Sequence, residues 1–392
     1  MLFSFAMIIL VGVVFAMIMR KLGLPNLLGY LLAGIILGPF VFNVIDTTTF
    51  QISSDIRQIA LMIILMRAGL NLKISDLKKV GPSALLMCFV PASFEILGLM
   101  ILAPIFLHLD LLNAAILGTV LAAVSPAVVV PLMLKLMDEG YGTKEGIPQL
   151  IMAGASMDDV YVIVLFTSLL TLAKSGEFNA LSLLRIPTSI LFGIVSGIVL
   201  GYVLCKLYRL LKLSTEIELA CMFAVGMALI TIERIMTGAV GFSGLLAIMA
   251  MTSSVRYINP EMADTYSAVL AKLWQPAEIF LFALVGASVR IDYAVSFGPV
   301  VLIVIILALL FRMLGVYLSV MKTKFNMKEK IFTMIAYIPK ATVQAAIGGL
   351  ALEAGLASGE LILTAAVTAI LFTAPLGAIF ISFTYRNFLQ KA

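Results

Sequence analysis

Apolar stretches of about 20 residues follow one another along almost the whole chain, each closed by charges or by a Gly, Pro or Asn cluster, and that length suits a membrane-spanning helix. Thirteen are predicted, over residues 1–19, 25–43, 55–72, 80–107, 111–134, 147–173, 184–208, 216–232, 236–255, 270–289, 294–321, 331–352 and 359–385. The first is read as a retained span. Arg20 and Lys21 follow it, no basic stretch precedes it, and no small-residue cleavage site closes it. In the seventh, Gly193, Gly197 and Gly201 form a ladder of small residues that lets helices approach closely in lipid.

Composition agrees with the pattern. Of 392 residues 62% are hydrophobic and 12% charged, with a mean hydropathy of +1.15, whereas water-soluble domains run at about 45–50% apolar and about 25% charged. The expected fold class is an all-α polytopic membrane protein with no room for a soluble domain. A net charge of +5 would suggest an anionic partner in a soluble protein, but in a membrane protein bases collect in cytoplasmic loops, so nucleic acid is set aside. Cys88, Cys205 and Cys221 lie in apolar stretches and His108 is the one histidine, which leaves neither a disulfide framework nor a clustered Cys/His metal site.

Orientation follows from the bases. With the N-terminus outside, the inner loops and tail carry 18 of the 26 Lys and Arg residues, from Arg20 to Lys391, and the outer side five: Arg57, Lys174, Arg185, Arg234 and Arg290. The other three, Arg67, Arg312 and Lys340, lie within spans, together with the acids Glu95, Asp158, Asp159 and Glu278. A charge at mid-membrane costs about 2.5–3.5 kcal/mol even on lenient insertion scales. Arg67 and Glu278 can reach an interface by snorkelling. Glu95 and Arg312 have no such exit and favour pairing with an opposite charge.

Asp158 and Asp159 lie near mid-membrane, 12 and 13 residues after Gly146. Successive side chains on a helix point about 100° apart, so the two carboxylates cannot share a proton face to face, but they can line one cavity and titrate as a coupled pair. Such a site can hold a proton or a small cation.

Span five contains Ser125, Pro126 and Pro131, and span twelve contains Pro339 before Lys340 and Gln344. Proline opposes helix before it and removes a backbone bond, and unwound backbone at membrane depth is tolerated where it lines a cavity. The two spans run in opposite directions, which suggests inverted segments about a central transport site. Lys340 and either aspartate are candidates to neutralise the exposed half-helix ends.

Taken together these motifs resemble the monovalent cation:proton antiporter superfamily in its two-aspartate, NHA-type sodium/proton branch. The early stretch Leu24-Pro25-Asn26 to Pro39 and Arg67-Ala68-Gly69-Leu70 are similar to the superfamily at large; Ala123 to Pro131, Gly154 to Asp159 and Pro339 to Ala346 are similar to that branch in particular. The resemblance implies thirteen helices in two inverted five-helix repeats with crossed broken helices. It implies a dimerisation domain over 1–78 and 214–292, a core transport domain over 79–180 and 293–392, and a linker helix over 181–213. A homodimer follows from the same likeness. A lysine is common in the broader family where Arg312 stands here, and in the NHA branch the arginine pairs with the glutamate at the position of Glu95.

The function expected is secondary-active exchange of Na⁺ or Li⁺ for H⁺ across a cell (inner) membrane, with the C-terminus cytoplasmic. Na⁺ would bind at Asp159 and Asp158, with Ser125 and Ser156 completing an oxygen shell suited to a hard cation. Lys340 would compensate charge, Glu95 and Arg312 would form a structural ion pair, and no cofactor is called for. The alternatives are K⁺/H⁺ exchange, disfavoured because the chain ends soon after Arg386, and organic-anion symport, which should show a more polar midplane. An intramembrane aspartyl protease would need aspartates on separate helices.

Overall fold

The structure is a computed structural model that describes residues 1–71, 82–174, 185–211, 213–235 and 241–391. It is helical throughout. In chain order the helices are α1 (Leu2–Lys21), α2 (Asn26–Leu37), α3 (Thr47–Gln51), α4 (Ser53–Asn71), α5 (Pro82–Met87), α6 (Val90–Leu107), α7 (Leu111–Leu121), α8 (Pro126–Asp138) and α9 (Ile147–Lys174). They continue as α10 (Arg185–Leu211), α11 (Thr215–Ile235), α12 (Gly244–Ile258), α13 (Pro260–Ala287), α14 (Ile291–Val320), α15 (Met327–Ala336), α16 (Thr342–Ile347), α17 (Leu350–Glu353) and α18 (Gly359–Phe388).

Among the described residues nine helical stretches are long and apolar enough to cross a membrane, counting α5–α6 and α7–α8 as one each. The other four expected segments fall on α2, α4 and α12, of 12, 19 and 15 residues, and on the interrupted run α15–α17. Local chemistry sets several limits. Helix α2 stops at Gly38, whose ψ of 169° leaves the helical region ahead of Pro39. The segment expected over 80–107 is divided at Cys88 and Phe89, because Pro91 has no N–H to bond the carbonyl four residues back. Asp110 starts α7 by accepting the N–H groups of Leu112 and Asn113. Asn326 and Glu329 form a reciprocal capping box at the start of α15.

Two compact units are present. The first comprises Met1–Arg57, Ile74–Val162 and Ile279–Ala392. One apolar cluster joins Met87, Val124, Met133, Phe332, Tyr337 and Ile381, which brings both interrupted stretches into one core. The second comprises Gln58–Lys73 and Ile163–Glu278. There α10 lies backbone to backbone on α12: a Cβ at Gly197 would stand 2.3 Å from the Ala247 carbonyl oxygen, so the glycine ladder is what allows the contact.

Candidate functional site

The two proline-marked breaks face each other. Helix α7 ends at Leu121 and α8 resumes at Pro126; α15 ends at Ala336 and α16 begins at Thr342. Ser125 N–H donates to the Pro339 carbonyl at 2.8 Å, so the unwound segments bond directly where they cross. Buried backbone groups need partners, and here each break supplies part of what the other lacks.

The carbonyl end of α7 is met by side chains from the opposite break and from α14. Lys340 Nζ donates to the Leu121 carbonyl at 2.5 Å. Gln344 Nε2 donates to the Ala123 carbonyl at 2.9 Å and more weakly to Leu121 at 3.4 Å, and Arg312 Nη1 donates to the Ala122 carbonyl. Cations and amide donors belong at the negative end of a helix dipole. Arg312 also holds the other break, through Nε to the Tyr337 carbonyl at 2.9 Å. Thr373 Oγ1 on α18 accepts the Lys340 backbone N–H at 3.0 Å.

Four charged side chains form one buried network. Arg312 lies 2.6 Å from Asp158 Oδ2 through Nη2 and 2.9 Å from Glu95 Oε2 through Nη1. Lys340 Nζ lies 2.6 Å from the other Glu95 oxygen. All four are at most 1% exposed. Their formal charges cancel, two positive against two negative, which is the condition under which ions persist in a dry interior. Asp158 Oδ2 further accepts the Val124 N–H at 3.0 Å and so is fixed to the first break.

Asp159 stands outside this balance. It is buried, makes no ion pair among the described residues, and its Oδ1 accepts no hydrogen bond there. Asp158 Oδ1 and Ser125 Oγ are likewise buried without partners among the described residues. Buried polar atoms are nearly always satisfied, so three bare oxygens on two adjoining aspartates and the neighbouring break are candidate ligand atoms. Oxygens of that kind fit a proton or a small hard cation. No cluster of three or more His, Cys, Asp or Glu that could hold a metal ion occurs among the described residues.

Of the residues expected from the sequence, Ser125, Asp158, Lys340, Glu95 and Arg312 all bear directly on the crossing, and Asp159 follows Asp158 on α9. The side chain of Ser156 lies outside the described residues. Sequence reasoning noted Gln344 in the interrupted span, four residues after Lys340, without giving it a role, and missed Thr373; both are neutral and carry no insertion cost to flag them. It also missed Tyr337, whose hydroxyl lies where a side chain at Gly154 would be: a Cβ there would come within 2.0 Å of it. Gly154 precedes Asp158 by one helical turn.

Comparison with known proteins bears on what this arrangement serves. Residues 6–386 match the family described as sodium/hydrogen exchanger, transmembrane. The chain is 36% identical over 386 residues to the sodium/hydrogen exchanger 9B2 of Homo sapiens, a match spanning 94% of this chain and 70% of that protein. It is 35% identical over 371 residues to the human sodium/hydrogen exchanger 9B1, spanning 91% and 71%. Among solved structures, the sodium proton antiporter MjNhaP1 from Methanocaldococcus jannaschii at pH 8 superposes with a TM-score of 0.83 at 21% identity, over 98% of this chain and 97% of that one, a likeness of fold.

Proposed function

The chain belongs to the sodium/hydrogen exchanger family, within the monovalent cation:proton antiporter superfamily, and from that premise we propose that it exchanges Na⁺ or Li⁺ for H⁺ by alternating access, with Asp159 as the exchanged carboxylate. The observation that carries this reading is the imbalance at the crossing. Asp158, Glu95, Arg312 and Lys340 neutralise one another, whereas Asp159 is buried with no ionic partner among the described residues. A carboxylate in that position is neutral with a proton bound or with a monovalent cation bound, and those two states are the two loaded forms of an exchanger. Asp158 Oδ1 and Ser125 Oγ, both unsatisfied, supply further oxygens for the cation, and Ser156 on the same helix is assigned with them.

In this scheme the chain crosses the membrane thirteen times. Two inverted repeats each contribute one broken helix, the N-terminus lies outside a cell (inner) membrane, and the C-terminus is cytoplasmic. The core transport domain over 79–180 and 293–392 carries the site, while 1–78 and 214–292 dimerise and 181–213 links them. The hydrogen bond between the two breaks, from Ser125 to Pro339, supports this repeat arrangement. Glu95 and Arg312 hold the core together, and Lys340 offsets both Glu95 and the carbonyl end of α7.

The test is the purified protein in proteoliposomes loaded with a pH-sensitive dye. Addition of Na⁺ or Li⁺ to the outside of acid-loaded vesicles should drive protons out, with K⁺ much less effective. An equal response to K⁺ would replace the cation assignment, and no response to any monovalent cation would reject antiport.

A further inference from the structure

A second charged cluster, separate from the network at the crossing, joins three elements. Arg57, in the second turn of α4, donates from Nη2 to Glu353 Oε1 at 2.6 Å and from Nη1 to Ser288 Oγ at 3.3 Å. Ser54, one turn earlier on the same face of α4, donates to the second Glu353 oxygen at 2.6 Å. The two ionic side chains are only 9% and 23% exposed. The contrast is with Arg290 and Asp292, two residues apart and 45% and 64% exposed, a surface pair of the kind worth little. Arg57 instead ties residues 296 positions apart.

Its placement is mechanical. Glu353 is the last residue of α17, and a Cβ at Gly349, in the turn between α16 and α17, would stand 3.0 Å from Arg57 Nη1. The guanidinium is therefore seated on the outer piece of the broken stretch whose other end carries Lys340 and Gln344. Exchange by alternating access requires the element that carries the site to shift against the remainder. Both residues lie in the first compact unit, and in the scheme proposed above Arg57 belongs to the stationary segment 1–78 and Glu353 to the moving segment 293–392, so the pair is one of the contacts by which the two segments hold together.

We propose that Arg57, Ser54 and Glu353 form an outer-side latch that stabilises one access state of the carrier and must open in each transport cycle. The inference rests on the antiport reading above. Parting a sheltered ion pair costs free energy that the other access state does not recover at the same place, so the latch sets the populations of the two states and with them the affinity seen from each side.

The experiment uses the full chain in proteoliposomes. Arg57→Cys and Glu353→Cys are introduced into a background with Cys88, Cys205 and Cys221 replaced, and are bridged by a short bifunctional thiol reagent that a reductant cleaves. Bridging should stop Na⁺-driven proton movement, and the reductant should restore it. In parallel, Arg57→Glu and Glu353→Arg singly should each change the apparent Na⁺ affinity measured from the outer side by about fivefold or more, the scale of a coupling between states. The double reversal should bring it back towards the wild-type value. Exchange at the unbridged rate with the bridge in place, failure of the two positions to bridge, or single variants with wild-type affinity would each overturn the latch. A wild-type protein that moves no cation would sink the antiport reading instead, so the two failures are distinguishable.

Discussion

Arg312 donates to Asp158 at 2.6 Å across 154 residues of sequence, so of two adjacent mid-membrane aspartates one is already held by a buried guanidinium. The two carboxylates are thereby unequal. In the proposed exchange Asp158 would be part of the scaffold as well as of the site, and Asp159 would be left to the transported ions. Arginine suits the first task because it stays charged at any working pH and can serve several acceptors at once; here it reaches Asp158, Glu95 and two backbone carbonyls.

Asparagine substitutions should separate the two roles. Asp159→Asn is expected to abolish Na⁺-driven proton movement in dye-loaded proteoliposomes while leaving the detergent melting temperature close to wild type. Asp158→Asn should weaken or abolish exchange and also lower stability by roughly 3–5 kcal/mol, the usual cost of stranding one member of a buried pair. Wild-type exchange by Asp159→Asn would remove that residue from the site.

The network also predicts how stability losses combine. Glu95→Ala and Arg312→Ala should each destabilise the protein in thermal unfolding, and the double variant should remain clearly less stable than wild type, because Asp158 and Lys340 each lose a partner as well. The losses should nevertheless be non-additive by about 0.5–3 kcal/mol, as for residues in one network. A double variant as stable as wild type would mean that Glu95 and Arg312 act as an isolated pair.

Gly154 and Tyr337 offer a steric test. Gly154→Ala puts a methyl 2.0 Å from the Tyr337 hydroxyl and should cost about 1–3 kcal/mol, the range for overpacking a close-fitted interior. Tyr337→Phe should be nearly neutral alone, since the hydroxyl it removes has no hydrogen-bond partner among the described residues. Combined with Gly154→Ala it should recover most of the loss. If it does not, the hydroxyl is not what the methyl meets.

In the proposed scheme competition at one carboxylate sets the pH behaviour. Protons and Na⁺ exclude each other, so the apparent Na⁺ affinity should weaken as pH falls, and exchange should decline at both extremes: protons fill the site at low pH, and none remain to exchange at high pH. Saturation curves for Na⁺ at several pH values check this. An affinity independent of pH across the active range would contradict a shared site.

One exchanged carboxylate also implies one proton per cation. The rate in proteoliposomes should therefore respond little to a potential imposed with K⁺ and valinomycin, whereas a net charge moved per cycle would couple to the field at about 2.3 kcal/mol per 100 mV. A steep voltage dependence would require a second titrating group, with Asp158 or Lys340 the first to examine.

The sequence by itself determined the membrane class, the apolar segments and the chemistry available at mid-membrane, because a charge or a proline in hydrocarbon is costly enough to stand out in one dimension. Asp158, Asp159, Lys340, Glu95 and Arg312 were all visible on that ground, as were the breaks at Pro126 and Pro339. Beyond the Glu95–Arg312 pair that the family likeness implied, which charge answers which was not, since insertion cost marks depth and sign while partners are chosen by three-dimensional contact among helices far apart in the chain. Only the tertiary structure added Asp158 to the partners of Arg312, gave Lys340 to Glu95 and the end of α7, and left Asp159 without an ion pair among the described residues. It alone gave Gln344 its partners and brought in Thr373 and Tyr337, because a neutral side chain in an apolar helix gives no signal until the backbone group or glycine it meets has been folded against it.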